Sequence, residues 1–221
     1  VNGRGPNITT RANFDQWYRN VTVNIPSVIT VSLVRQPNGT YVWDSADTTQ
    51  NGGKNYFDPV NTAGWVDAGK EQLAACGAGN ARDRNVSFTS ETHFWFEYQG
   101  GETFDFAGDD DTWVFVNNHL AIDLGGLHVP KKGTFVLDDD TDGDAGADIA
   151  DGGGIFNSDL APAGGNLYAG LTKGGVYEVV MFQAERNQCG SNFKVTLKDF
   201  NKPKSTCQSS CGDGIKASNE V

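Results

Sequence analysis

Short runs that alternate apolar and polar side chains, each closed by Gly, Asn or Pro, limit what this chain can become. Successive side chains of a strand point to opposite faces, so a period of two marks a sheet with one buried face. Thr92–Tyr98 (THFWFEY) alternates in this way; Gly100 and Gly101 turn it, and Phe104–Phe106 returns. Thr112–Val116 passes through Asn117 and Asn118 into Leu120–Leu124. Val28–Val34 meets the turn Gln36-Pro37-Asn38-Gly39 and comes back as Tyr41–Trp43. Gly133–Leu137, Leu167–Leu171, Val176–Phe182 and Phe193–Leu197 complete the set. One short helix is expected over Val66–Ala75, ended by Gly77. The sum is an all-β fold, an antiparallel β-sandwich of jelly-roll-like character or a barrel. In these runs Trp95, Trp113 and His93 read as packed strand residues, and His119 as exposed after its turn.

At 221 residues, 38% of them hydrophobic, the chain can bury a substantial core. Its formal charge of −11 argues against nucleic acid, whose phosphates need clustered Lys and Arg. No apolar run is long enough to span a bilayer, so no direct membrane insertion is expected. The chain opens on Val1 and reads as part of a longer precursor. Cys76, Cys189, Cys207 and Cys211 lack the paired spacing and flanking His of a zinc site and fit the disulfides of an extracellular chain. Three full pairings are open, with Cys76–Cys189 and Cys207–Cys211 preferred. From Lys202 the chain turns polar, so 1–201 reads as the sandwich and 202–221 as a linker or the start of a cysteine-rich module. The loops Asn51–Asn80 and Asp138–Gly165 are long for a compact domain, which marks them as functional.

Two acidic loops stand out. Asp109, Asp110 and Asp111 lie between aromatic strands within Phe104–Gly126. Three adjacent carboxylates repel one another, and calcium, a hard ion that takes several oxygen ligands, relieves that repulsion. The alternative is a solvated acidic turn. In the second loop Asp138, Asp140 and Asp142 precede Gly143, as in the opening of an EF-hand-type loop. A register from Asp140 instead uses Asp142, Asp144, Asp148 and Asp151. The first register lacks a final carboxylate and the second lacks the central glycine, so a solvated loop stands beside calcium binding here too.

The segments FDQWYRNVTVN (Phe14–Asn24, with Trp17, Tyr18 and Asn24), Ser87–His128 around FDFAGDDDTWVFVNNHLAIDLGG, and FQAERNQCGSNFKV (Phe182–Val195) resemble the fibro-slime domain. That domain is a branch of the protective-antigen-type family, which includes the sugar-binding domains of yeast flocculins and epithelial adhesins. The resemblance implies an Asp-Asp pair joined by a cis peptide bond, whose carboxylates hold calcium while the calcium holds sugar hydroxyls. By position the pair is Asp109-Asp110. The small residue that usually follows is Asp111 here, which leaves Asp110-Asp111 as the alternative. An Asn after a later strand completes the site in the lectin members; here Gln183-Ala184-Glu185 stands nearby, making Glu185 the first candidate and Asn187 the second. A surface pair of Glu185 with Arg186 is the competing reading. His128, after Gly125-Gly126, is a candidate to approach the ligand with Asp109, Asp110 and Asp111. The tail is similar to a cysteine-rich repeat of myxobacterial surface proteins and points to a bacterial cell surface.

An enzyme is not expected. Asp110 and Glu185 would make a glycosidase-like pair, but the same carboxylates cannot readily hold calcium and act as a raised-pKa acid. No nucleophile elbow, phosphate loop or zinc-ligand helix is present. Trp43, Trp65 and Tyr168 are candidate aromatic platforms for a glycan, each with packing as the alternative. The expectation is therefore an extracellular, calcium-dependent module that binds glycans on a cell surface or matrix. The rival is a structural module joining surface-fibre proteins, in which calcium only rigidifies the fold.

Overall fold

A computed structural model describes residues 10–70, 73–75, 82–137, 171–187 and 190–200. Two antiparallel sheets face each other. The five-stranded sheet has the order β1 (Val34–Arg35), β2 (Tyr41–Asp44), β11 (Phe193–Lys198), β6 (Glu102–Gly108), β9 (Lys131–Leu137). The four-stranded sheet has the order β5 (Phe88–Glu97), β10 (Val176–Glu185), β7 (Asp111–Val116), β8 (His119–Leu124). A small ladder joins β3 (Ala74–Ala75) to β4 (Arg82–Arg84). The all-β antiparallel sandwich read from the sequence is the fold observed.

Alternation sets the core. In β6, Phe104 and Phe106 point inward, and Phe104 stacks on Phe135 of β9 with ring centroids 5.1 Å apart. Val114 and Val116 of β7 and Val179 and Met181 of β10 close the cavity from the opposite sheet. Trp43 meets Phe57 and Phe193 edge-on in an aromatic cluster at one end. Trp43 is thus core and not a platform, while Trp65 stays partly exposed with its indole N–H donating to Val23 O at 2.8 Å.

Several local expectations are corrected. Of Val28–Val34, only Val34 enters a ladder, pairing with Val42; alternation specifies a face but not a neighbour. The helix expected over Val66–Ala75 is a single turn, α2 (Gly64–Asp67), following α1 (Arg11–Phe14) in chain order. Gly69, at φ +68°, ends it: its N–H bonds Val66 O and the N–H of Lys70 bonds Trp65 O, the two bonds of a Schellman cap. Ala74 and Ala75 then belong to a strand. Trp95, expected in the core, is 64% exposed on the outer face of β5, next to the exposed His93. Trp113 is half-buried on the same outer face. His93 is no packed residue either: its two ring nitrogens bond Glu91 and Glu178, and those bonds raise its pKa. His119 is exposed, as expected. Leu167–Gly170, the acidic loop from Asp138 to Gly154, Tyr168, the four cysteines and the tail from 201 lie outside the described residues. Among the described residues, no helix is long and apolar enough to cross a membrane.

The stacked pair carries the first prediction. Phe104→Ala empties a fully buried position and should cost about 3–5 kcal/mol in urea unfolding. Thr134→Ala, which removes a half-buried hydroxyl bonded to Asp105, should cost about 1 kcal/mol.

Candidate functional site

Three sheet-to-sheet crossings meet at one end of the sandwich. Asp109 and Asp110 carry the chain from β6 in one sheet to β7 in the other. The segment after β10 leads to β11, and Gly125–Pro130 leads from β8 to β9. The ladders force these crossings together, because Ala184 pairs with Asp111 while Phe193 pairs with Gly108.

The aspartates bind the crossings to one another. The peptide joining Asp109 to Asp110 is cis, the form the resemblance implies for that pair. The N–H groups of Ser191 (3.1 Å) and Asn192 donate to Asp109 Oδ1, and the Asn192 side-chain amide donates to Oδ2 at 3.1 Å. The N–H of Arg186 donates to Asp110 Oδ2 at 3.1 Å, and that of His128 to Oδ1 at 3.3 Å. Asp111 receives the N–H of Gly126 at 2.6 Å and the Arg186 guanidinium, whose Nε lies 2.7 Å away and whose Nη2 also bridges to it. Gln183 holds the main-chain oxygen of Asp109 through its amide at 3.2 Å, and its own oxygen accepts from Ser90 Oγ at 3.0 Å. Gly190 lies so close that an added Cβ would meet Asp109 Oδ2 at 2.7 Å.

Charge is unevenly balanced. Asp109, Asp110, Asp111 and Glu185 are all buried, at 3% exposure or less. Among the described residues, their one salt bridge is Asp111–Arg186. Glu185 Oε1 accepts the N–H of Asn187 at 2.9 Å, but Oε2 is buried with no hydrogen-bond partner. Burial, with a smaller push from Asp110 and Asp109, raises the Glu185 pKa to about 8. Burial also raises that of Asp110. Taking a carboxylate out of water disfavours its charged form unless a cation or donor compensates.

The structure therefore brings Asp109, Asp110, Asp111, Glu185, Asn187 and His128 to one end of the sandwich. Asn187 reaches Glu185 through its main chain. The His128 ring is tied to the main-chain oxygens of Leu124 and Val129, while its N–H serves Asp110. Arg186 bonds Asp111 and not Glu185, so the surface pair weighed from sequence is not formed. Among the described residues, no group of three Asp, Glu, His or Cys side chains is already drawn together as a metal-ligand cluster. Sequence reasoning missed Ser191 and Asn192, and it named Gln183 beside the site without giving it a role. The alternation of β10 shows that Gln183 shares the inward face of Val179, Met181 and Glu185; nothing in the sequence marks main-chain donors.

The N-terminal aromatic motif braces this end from outside. Phe14 packs on Trp113, Tyr18 packs on Phe182 with centroids 4.9 Å apart, and the Arg186 guanidinium lies 5.4 Å from the Trp17 ring centroid. The Asn24 amide closes that loop by donating to Gln16 O and Arg19 O, each at 2.7 Å.

No family model matches the chain, and no solved structure matches it significantly. Curated relatives do. The chain is 32% identical over 133 residues to protein psiD of Dictyostelium discoideum, which covers 60% of this chain and 24% of psiD. It is 36% identical over 139 residues to protein psiE, covering 62% of this chain and 22% of psiE. It is 29% identical over 204 residues to protein psiH, covering 91% of this chain and 23% of psiH. The chain thus spans less than a quarter of each of these relatives, which come from Dictyostelium and not from a bacterium.

Two predictions follow from the charge balance. Arg186→Met leaves Asp111 buried and unpaired and should destabilise the protein by about 3–5 kcal/mol, whereas Arg186→Met with Asp111→Leu should recover much of that loss in thermal unfolding. Glu185 binds its proton more tightly folded than unfolded. Its contribution is therefore fully present below its ordinary value of 4.5 and is lost as pH rises toward about 8. In chelator, Glu185→Gln should flatten the fall in stability between those two pH values.

Proposed function

We propose that this chain is a fibro-slime-type domain of the protective-antigen-type family, acting outside the cell as a calcium-dependent glycan-binding module of a larger surface protein. One observation carries the reading: Asp109, Asp110 and Glu185 are buried together without a salt bridge among the described residues, and a Glu185 oxygen has no partner. Such a set is unfavourable unless a cation joins it or protons neutralise it.

The donors fit calcium in kind. They are hard carboxylate oxygens, and calcium takes about six to eight oxygens in flexible geometry. Asp109 and Asp110 would hold the ion, helped by Glu185 or the Asn187 side chain. Bound there, calcium would neutralise the carboxylates and offer open coordination positions to vicinal hydroxyls of a sugar. The chain's own part is to keep the aspartates in place: Ser191 and Asn192 fix Asp109, Arg186 and His128 fix Asp110, and Arg186 cancels the charge of Asp111. Binding by a single domain is expected to be weak, around millimolar, with several copies on a surface raising avidity.

Deep burial of the same carboxylates favours a second reading, in which the ion is sealed and only rigidifies a module that joins surface-fibre proteins.

Thermal unfolding in excess calcium and in chelator tests the ion. Ligand binding to the folded state alone raises stability by about 2.7 kcal/mol at a hundredfold excess over Kd. The rise should appear in the native protein and vanish in Asp109→Asn with Asp110→Asn. A protein indifferent to calcium, after exhaustive chelation, sinks both readings. If calcium stabilises but a glycan array stays blank, the sealed ion of the second reading is the one left.

A further inference from the structure

Trp95 keeps 64% of its surface in solvent, although a large aromatic ring ordinarily gains by being buried. It stands on the outer face of the four-stranded sheet, and the strand register fixes what surrounds it. On its own strand the same face carries His93 two residues before it and Glu97 two residues after it. Glu178 of β10 lies directly across from it. Val176, 66% exposed, lies across from Glu97. The indole is therefore an apolar floor, extended by Val176, with hydrogen-bonding side chains along three of its sides.

That polar rim is held in place. His93 Nδ1 lies 2.7 Å from Glu178 Oε1, and its Nε2 lies 2.6 Å from Glu91 Oε1. Two carboxylate partners call for an N–H on each ring nitrogen, so the imidazole bridges β5 to β10 in its cationic form. Its plane is within 25° of the Trp95 plane, with ring centroids 6.4 Å apart. On the other side of Trp95, the Gln99 amide donates to Glu97 Oε1 at 2.7 Å. Each rim group is oriented by a neighbour, which leaves little ordering to be done when a ligand arrives.

We infer that Trp95 is the floor of a glycan site separate from the calcium loop, which takes an all-equatorial sugar chain, a β-linked polymer of glucose or N-acetylglucosamine. A pyranose with equatorial substituents shows only C–H bonds on its faces and keeps its polar groups at its rim. One face can lie on the indole while the rim meets Glu178, His93 and Glu97. Other occupants match this surface poorly. A protein interface buries about 800 Å² on each side around an apolar centre, whereas here charged side chains adjoin the ring. Glu91, Glu97 and Glu178 oppose nucleic acid and anionic lipid. Stacking on one ring is weak, so a polymer that presents the same face repeatedly suits it best. None of these residues belongs to the calcium site, and the two readings stand or fall separately.

Titration of the whole 221-residue chain with cellohexaose and with chitohexaose tests it. The titrations are run in calcium and in chelator, below the unfolding temperature in each. Binding of at least one oligosaccharide in both buffers is the expected result. Trp95→Ala should weaken that binding by about tenfold or more, and Trp95→Phe, which keeps a ring, should weaken it less. Trp95 is exposed, so both variants should unfold at the temperature of the native protein. Failure of the native protein to bind either oligosaccharide overturns the inference, whatever calcium does. Binding that disappears in chelator belongs to the Asp109–Asp110 site and overturns it too. So does binding that Trp95→Ala leaves untouched, because the sugar then sits on another surface.

Discussion

Two sheets of a sandwich must be joined by chain that leaves one and enters the other, and here three such crossings share one set of hydrogen bonds. Asp109–Asp111 is the shortest crossing and the hub of that set. Its carboxylates accept main-chain N–H groups from the other two crossings, at Arg186, Ser191 and Asn192 on one side and Gly126 and His128 on the other. Removing these acceptors would leave buried donors unmatched, each costing about 1–3 kcal/mol. The ladders on either side of the hub, Ala184 with Asp111 and Phe193 with Gly108, hold the crossings in register.

The same burial that makes the hub structurally useful makes it electrostatically costly. Arg186 compensates Asp111 and leans on Trp17, linking the N-terminal aromatic motif to the site. Asp109 is compensated by hydrogen-bond donors, Asp110 by main-chain donors and weakly by the Arg186 charge, and Glu185 only in part. The proposed cation is the simplest remedy for that remainder, and protonation of Glu185 is the remedy when no cation is present.

Much of this was legible in the residues. Period-two alternation located β5 to β11 and the turns at Asn117-Asn118, both of which take positive φ. The clustering of acidic residues drew attention to Asp109–Asp111, and the parity of β10 aims Glu185 inward. What stayed hidden has physical reasons. Main-chain donors have no sequence signature, so Ser191 and Asn192 were invisible. Trp95 obeys alternation, but on the solvent side; hydrophobicity alone placed it in the core. Val28–Val34 has the composition of a strand, yet composition does not supply the neighbouring chain that a ladder requires. Gly69 closes the α2 turn earlier than Gly77 would, because a left-handed residue can end a helix after a single turn.

Because most donors that cradle the hub are peptide N–H groups, several positions in the crossings after β10 and β8 have evolutionary latitude. Most replacements there would retain the donor while changing what the loop shows to the outside. The exceptions are Gly190, where a side chain would collide with Asp109, Gly126, which takes a φ of +119°, and Arg186 and Asn192, whose side chains hold Asp111 and Asp109. Such a division lets recognition drift while the scaffold persists, and a library that varies these loops around fixed Gly126, Arg186, Gly190 and Asn192 would be a sound starting point for new binders.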